Sequence, residues 1–195
     1  MNGSTVVDRG RGPRTGAALG RAREFPVRAW TEAAVLDLLQ ARYTAIRPGT
    51  NADRYVRAAH VPTAAQAVRG VDRVADYLVL DTYGAGDLHG FEVKVTRSDL
   101  LAELRQPEKS GAWRVYCDMW WLVVPDAALA AGVLPDGWGL LAPGPGGRLP
   151  LRVVRAAPQL DREPMPRSVL AQWVRCVATT ARAEASAHPD QGADR

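Results

Sequence analysis

Residues 90–97 read Gly-Phe-Glu-Val-Lys-Val-Thr-Arg. Apolar and polar residues alternate along this stretch, which is typical of a half-buried β-strand. Side chains alternate between the two faces of a strand, so Glu92 and Lys94 project from one face and the intervening apolar residues project from the other. A strand that carries a carboxylate and an ammonium group side by side is therefore predicted. An ordinary solvated strand face would carry the same pair.

A second acidic residue lies in the strand predicted just before this one. Strands are predicted over residues 71–83 and 88–96, and the Gly-Ala-Gly-Asp turn at 84–87 favours an antiparallel hairpin between them. With this turn at the centre, even-numbered residues of one strand pair with even-numbered residues of the other. Asp76 would then lie on the same face as Glu92.

Asp81 is the alternative acidic residue of this hairpin. A single β-bulge would reverse the faces and bring Asp81, instead of Asp76, to the face of Glu92. Asp76 itself lies within the apolar run 74–80, where a carboxylate needs a partner. Either Arg73 or a metal ion would supply one.

Other segments carry helix and strand patterns. Thr31 is a suitable N-cap for the first helix and Ser98-Asp99 for the second, which Pro107 interrupts. Pro62 is expected to end the first strand. The pattern predicts an α/β domain with a central mixed sheet and helices on both sides. The predicted helices are residues 30–43, 98–107, 108–116 and a closing helix around 169–181, and the further predicted strands are 55–61, 119–124, 138–141 and 149–155.

Positive charge is concentrated at one end of the 195-residue chain. The net charge is +4; residues 1–28 contain six Arg against two acidic residues, whereas residues 29–195 are balanced. Because the start of the chain is also Gly-rich and lacks apolar periodicity, residues 1–24 are predicted to form a flexible basic tail, which could attract phosphates. A solvated terminus is the alternative. Residues 25–185 are then one domain, and residues 186–195 a disordered tail.

Lysine is rare in this sequence, with 2 Lys, Lys94 and Lys109, against 23 Arg. Where Arg supplies most of the positive charge, a retained Lys indicates a need for a compact point charge. Lys109 follows Pro107 and Glu108 at a predicted helix start, where a cation opposes the helix dipole unless an anion is near. A substrate phosphate would be such an anion, although Glu108 or Asp99 could pair with Lys109 instead.

Several kinds of protein and site are excluded by the sequence. Cys117 and Cys176 lack the spacing of a zinc site or a disulfide scaffold and are expected to be reduced. His60, His89 and His188 have no metal-ligand spacing either. With no run of 18 apolar residues and no signal peptide, a cytoplasmic protein without a membrane partner is expected.

The order of elements and the acidic residues together resemble the PD-(D/E)XK nuclease superfamily. The resemblance covers residues 30–124 and rests on Asp76 followed by Glu-x-Lys on the next strand. More narrowly, the segments 89–99, 107–110 and 116–123 look like small bacterial and phage proteins related to the MmcB DNA-repair family. Ala75 departs from the superfamily pattern, which has Pro before the first acidic residue. The resemblance implies a restriction-endonuclease-like core, with a central mixed β-sheet flanked by helices.

The resemblance also implies a catalytic site. Asp76, Glu92 and Lys94 would form the catalytic set, and Mg²⁺ or Mn²⁺ would be bound by the two carboxylates and the carbonyl of Val93. Lys94 would orient a water molecule or neutralise developing negative charge. Glu32, on the first helix, is a candidate additional ligand.

The function implied is metal-dependent hydrolysis of DNA in repair, recombination or phage DNA metabolism, in the cytoplasm of a bacterial or phage-infected cell. Lys109, Arg97 and Ser110 are candidate substrate-binding residues, with DNA as the partner. The alternative is a catalytically inactive nuclease-fold module for DNA binding or interaction. The oligomeric state is left open, with a homodimer as one option.

Overall fold

Six strands form one sheet in the computed structural model, which describes residues 30–63, 73–106, 108–144 and 148–187. Four α-helices and a short 3-10 helix at Ala127–Ala130 accompany the sheet. The strands are β1 Tyr55–Pro62, β2 Val74–Asp81, β3 Leu88–Val93, β4 Met119–Val123, β5 Gly139–Gly144 and β6 Arg148–Arg155, and the helices are α1 Glu32–Arg42, α2 Arg97–Leu104, α3 Glu108–Arg114 and α4 Arg167–Ala187.

The strands lie side by side in chain order, with mixed directions. The pairs β1/β2, β2/β3 and β5/β6 are antiparallel, whereas β3/β4 and β4/β5 are parallel. The parallel β3/β4 pair requires a crossover, which α2 and α3 provide. The predicted α/β fold with a central mixed sheet flanked by helices is confirmed.

The register of the β2/β3 hairpin has the predicted parity. Leu78 lies opposite Gly90, and Tyr77 opposite Phe91, so even-numbered residues pair with even-numbered residues. Asp81 is instead engaged at the edge of the hairpin, where its carboxylate accepts two hydrogen bonds from the Arg54 guanidinium, at 2.8 and 2.5 Å. This ion pair removes Asp81 as the alternative to Asp76.

The two faces of the sheet bury separate apolar cores. One core receives Leu100 of α2, Trp113 of α3 and Trp173 of α4, and the other receives Val35 and Leu39 of α1. A helix layer on each side therefore holds the strands and fixes where their ends meet.

Helix α4 also covers the free edge of β1. The Thr180 hydroxyl accepts a hydrogen bond from the Ala59 amide at 3.0 Å, and Glu184 forms an ion pair with Arg57 at 2.9 Å. Because an uncovered edge strand can pair with another chain, this contact protects the sheet. Among the described residues, no helix is both long enough and apolar enough to cross a membrane.

Some predicted boundaries were wrong. Pro62 is the last residue of β1 and does not stop the strand before it. Thr96, and not Ser98-Asp99, caps α2: its hydroxyl accepts from the Asp99 amide at 3.1 Å, because β3 ends early enough for the helix to begin at Arg97. Helix α4 continues to Ala187 and so includes two residues assigned to the disordered tail. The predicted tails at 1–24 and 188–195 lie outside the described residues.

Candidate metal-binding active site

Asp76, Glu92 and Lys94 meet at the end of the β2/β3 hairpin. The Lys94 ammonium contacts Oε1 of Glu92 and lies 3.8 Å from Oδ2 of Asp76. The side chains are 16%, 6% and 15% exposed, respectively. The three residues that the sequence singled out therefore form one largely buried ionic cluster.

Backbone pairing positions the members of this cluster. The β2/β3 ladder ends at the Tyr77 and Phe91 pair, and beyond it Oδ2 of Asp76 accepts a hydrogen bond from the Val93 amide at 2.7 Å. The Asp76 side chain thus takes the place of the next backbone acceptor. The Lys94 amide donates to the carbonyl of Val123 on β4 at 3.1 Å, which holds Lys94 in line with β3.

Glu103 is a fourth member of the cluster, and sequence reasoning missed it. Its Oε2 lies 3.9 Å from the Lys94 nitrogen, and its side chain is only 14% exposed. Glu103 follows the fully buried Leu100 by three residues on α2, so the two share a helix face. An acidic residue on the inward face of a helix was the signal available in the sequence.

Burial and mutual charge shift the pKa values of Asp76, Glu92 and Lys94. Burial, and then the nearby charge of Asp76, raise the pKa of Glu92 to about 8. Burial also raises the pKa of Asp76, against the opposing effects of Lys94 and the Val93 amide. For Lys94, burial acts to lower the pKa, but the carboxylates of Glu92 and Asp76 outweigh it and the net shift is upward. The cluster therefore tends to retain a proton near neutral pH while Lys94 stays charged.

A solvent cleft of about 310 Å³ opens beside Lys94. Its lining includes Val93 and three acidic residues, Glu32, Asp99 and Glu103. Lys94 is the single basic residue among the described residues that line it. The cleft gives small ligands access to the cluster, and its charge favours cations.

The donor set fits a divalent cation. Asp76 and Glu92 each place a carboxylate oxygen near the Lys94 ammonium, and carboxylates are ligands that Mg²⁺ and Mn²⁺ prefer. A proton held by buried carboxylates is what such an ion would displace. Val93 lines the cleft beside Lys94, and its predicted role as a carbonyl ligand stays a prediction.

Of the three predicted substrate-binding residues, Arg97 is the one whose side chain the structure describes. Arg97 donates to the carbonyls of Leu129 and Ala131 at 2.7 and 3.2 Å, so its guanidinium links α2 to the 3-10 helix. Lys109 and Ser110 lie in the first turn of α3, but their side chains are outside the described part of the chain. Binding of substrate by these residues stays a prediction.

A second group of donors adjoins the first through Asp76. One ligand atom each from Glu32, His60 and Asp76 lie within 4.8 Å of one another. Ligand spacing along the sequence did not reveal this group, because His60 and Asp76 are brought together across neighbouring strands. Glu32 on α1 was the predicted additional ligand; it contacts His60 at 3.7 Å, and its role as a metal ligand stays a prediction.

The comparisons with known proteins leave the family open. No protein-family model and no curated protein matches the chain. A solved structure that is similar to it belongs to a protein of unknown function from Silicibacter pomeroyi. The identity is 23%, the match covers 73% of this chain and 86% of that one, and the TM-score is 0.46. A likeness at this level carries no inference about function.

Proposed function

We propose that this protein is a metal-dependent nuclease that hydrolyses DNA phosphodiester bonds, in DNA repair, recombination or phage DNA metabolism, and that it belongs to the PD-(D/E)XK superfamily. The observation that carries the proposal is the convergence of Asp76, Glu92 and Lys94 in one buried cluster beside a cleft. The order of one helix, a three-stranded meander, a helical crossover and a parallel strand also supports it.

The side chains have distinct roles in this proposal. Asp76 and Glu92 hold the cation, and the Val93 amide fixes the orientation of Asp76. Bound Mg²⁺ or Mn²⁺ would polarise the phosphate and lower the pKa of a coordinated water molecule. Once the carboxylates are neutralised by the cation, the Lys94 ammonium is free to orient the attacking water or to stabilise negative charge on the phosphate.

Cleavage assays test the proposal directly. The full chain is incubated with plasmid, single-stranded and branched DNA in the presence of Mg²⁺ or Mn²⁺. We expect Asp76→Asn and Lys94→Met each to lower the cleavage rate by at least about 100-fold, the lower range for loss of a catalytic group. Asp37→Asn, on the exposed side of α1, is the matched control and should cleave at the wild-type rate.

Circular dichroism establishes that each variant is folded before its rate is compared. Cleavage that survives in folded Lys94→Met would refute the role of Lys94. A wild-type protein that cleaves none of these substrates with either ion would refute the nuclease assignment.

The acidic cleft favours a second candidate, a nuclease-fold module that binds partners without turnover. Glu32, Asp99 and Glu103 line the approach to Lys94 and would repel phosphates in the absence of a cation. Calorimetric titration with Mn²⁺ separates the candidates. Binding that Glu92→Gln weakens while Glu32→Gln leaves it in place supports the nuclease, whereas no binding by the wild type favours the module.

A further inference from the structure

Two exposed side chains, Glu32 of α1 and His60 of β1, lie close to Asp76 of β2. Ala59 pairs with Tyr77 and Val61 pairs with Ala75 across β1 and β2, so the cross-strand neighbour of His60 is Asp76. His60 has a φ of 48° and interrupts the extended backbone of β1 at this point. The register of two strands, and not a motif, therefore places an imidazole beside this carboxylate.

Glu32 closes the group from the first turn of α1. Its Oε1 lies 3.7 Å from Nδ1 of His60, and both side chains are well exposed, at 49% and 59%. Asp76 is the buried member, with 16% of its side chain exposed. The group runs from the protein surface to the buried cluster, and its outer donors are open to an ion in solution.

The separations are close to those of ligands on one ion. With each donor about 2.1 Å from a divalent ion, two donors can be at most about 4.2 Å apart. Adjacent donors on one such ion are about 3.0 to 3.4 Å apart. The three ligand atoms lie within 4.8 Å of one another, so side-chain movements of about 1 Å complete the site. The exposed side chains of Glu32 and His60 can make these movements by small rotations.

Asp76 has an oxygen to contribute. Within the described part of the chain, the Val93 amide and the Lys94 ammonium both approach Oδ2 of this carboxylate. Oδ1 can therefore face a second ion while Oδ2 remains in the buried cluster. A carboxylate that offers one oxygen to each side suits a bridging position between two cation sites.

We propose that Glu32, His60 and Asp76 form a separate divalent-metal site that selects Mn²⁺, Co²⁺ or Zn²⁺ over Mg²⁺. The imidazole nitrogen decides the selectivity, since Mg²⁺ strongly prefers oxygen donors whereas these ions accept nitrogen readily. The inference rests on the proposed function insofar as Asp76 is assigned to both sites. It adds a ligand, His60, and a metal class that the nuclease proposal does not require.

Pulsed electron paramagnetic resonance of bound Mn²⁺, without DNA, tests the site. The full chain is used without a histidine tag, because tag imidazoles would give the same signal. We expect ¹⁴N modulation from a directly bound imidazole in the wild type. His60→Gln should remove the modulation and weaken Mn²⁺ binding at this site at least about tenfold, the lower range for perturbed metal sites. Mg²⁺ binding at the Asp76 and Glu92 position should be retained.

Two further variants make the result specific. Glu32→Gln should also weaken Mn²⁺ binding but keep the ¹⁴N modulation of any ion that stays bound. His89→Gln is the matched control, because the His89 ring accepts a hydrogen bond from Trp121 at 3.2 Å and stacks with the rings of Phe91 and Trp121. Its ¹⁴N modulation should equal that of the wild type.

The outcomes for this site and for the nuclease are separable. Bound Mn²⁺ without ¹⁴N modulation, or modulation that persists in His60→Gln, overturns the imidazole site while DNA cleavage with Mg²⁺ can still be observed. Modulation that His60→Gln abolishes supports the site even if no DNA substrate is cleaved.

Discussion

Replacing Glu92 with glutamine should make the metal-free protein more stable at alkaline pH while it abolishes Mg²⁺ binding at the Asp76 and Glu92 position. The pKa of Glu92 is raised by burial and by Asp76 to about 8, from an ordinary value of 4.5. Between these values the folded state binds a proton that the unfolded chain does not. Stability of the metal-free protein must therefore fall as the pH rises through this window. Glutamine has the shape of the protonated acid and cannot lose that proton.

The size of the effect follows from the width of the window. Each pKa unit corresponds to about 1.4 kcal/mol, so a rise from 4.5 to about 8 sets an upper limit of about 5 kcal/mol on the loss of stability. Because Glu92, Asp76 and Lys94 titrate together, we expect a loss of about 2 to 5 kcal/mol between pH 5 and pH 9. In Glu92→Gln, Lys94 keeps Asp76 at 3.8 Å and Glu103 at 3.9 Å as partners, so no charge is left unpaired.

Urea unfolding followed by tryptophan fluorescence measures this difference, with a chelator present, at pH 5, 7 and 9. The wild-type free energy of unfolding should fall relative to that of Glu92→Gln as the pH rises. Glu163→Gln, at an exposed position, is the control and should follow the wild type. Adding Mg²⁺ at pH 9 should stabilise the wild type but not Glu92→Gln. A variant that is less stable than the wild type at pH 9 would refute the reasoning.

Three other substitutions test the packing and charge around the site. Gly90→Ala places a methyl group where the Trp120 ring lies. It should lower the free energy of unfolding, measured with urea, by about 1–3 kcal/mol or more. Lys94→Met leaves buried carboxylates without their cation, so it should cost about 3–5 kcal/mol at pH 9 and less at pH 5, where they take up protons. Thr180→Val removes the acceptor for the Ala59 amide, so hydrogen exchange at that amide should accelerate about fivefold, equivalent to about 1 kcal/mol. A variant that gives the wild-type value in its measurement would show that the contact behind that prediction does not contribute to stability.

The hairpin at the centre of the site was predictable because its constraints are local. A short turn and strict alternation determine which residues share a face, so Asp76 and Glu92 could be paired without a structure. The positions of Glu103 and His60 depend on other information. Glu103 reaches Lys94 because α2 packs on the sheet through the buried Leu100, which lies on the same helix face. His60 reaches Asp76 through the β1/β2 register, which no short turn between these strands determines in the sequence.

Arg97 shows why a suitable residue type does not establish a role. An exposed Arg near a predicted active site is chemically suited to phosphates. The chain instead turns at Thr96 to begin α2, and the Arg97 guanidinium meets the carbonyls of Leu129 and Ala131. Those acceptors belong to a 3-10 helix more than thirty residues away in sequence, and sequence periodicity does not report such turns.

If the protein is the proposed nuclease, its charge distribution would make metal binding a precondition for DNA binding at this cleft. Asp76, Glu92 and Glu103 surround one ammonium group, and at an effective dielectric constant of 20 a phosphate charge at 4 Å from a carboxylate is repelled by about 4 kcal/mol. A divalent ion held by Asp76 and Glu92 would offset two of these negative charges, and Lys94 would then be available to a phosphate in the cleft. The +4 excess in residues 1–28 can attract DNA over a distance of about one Debye length without discriminating between sequences. The basic segment would attract DNA in both states of the protein. Without metal, the acidic cleft would repel the DNA phosphates from the site, and with metal bound the cleft would accept them.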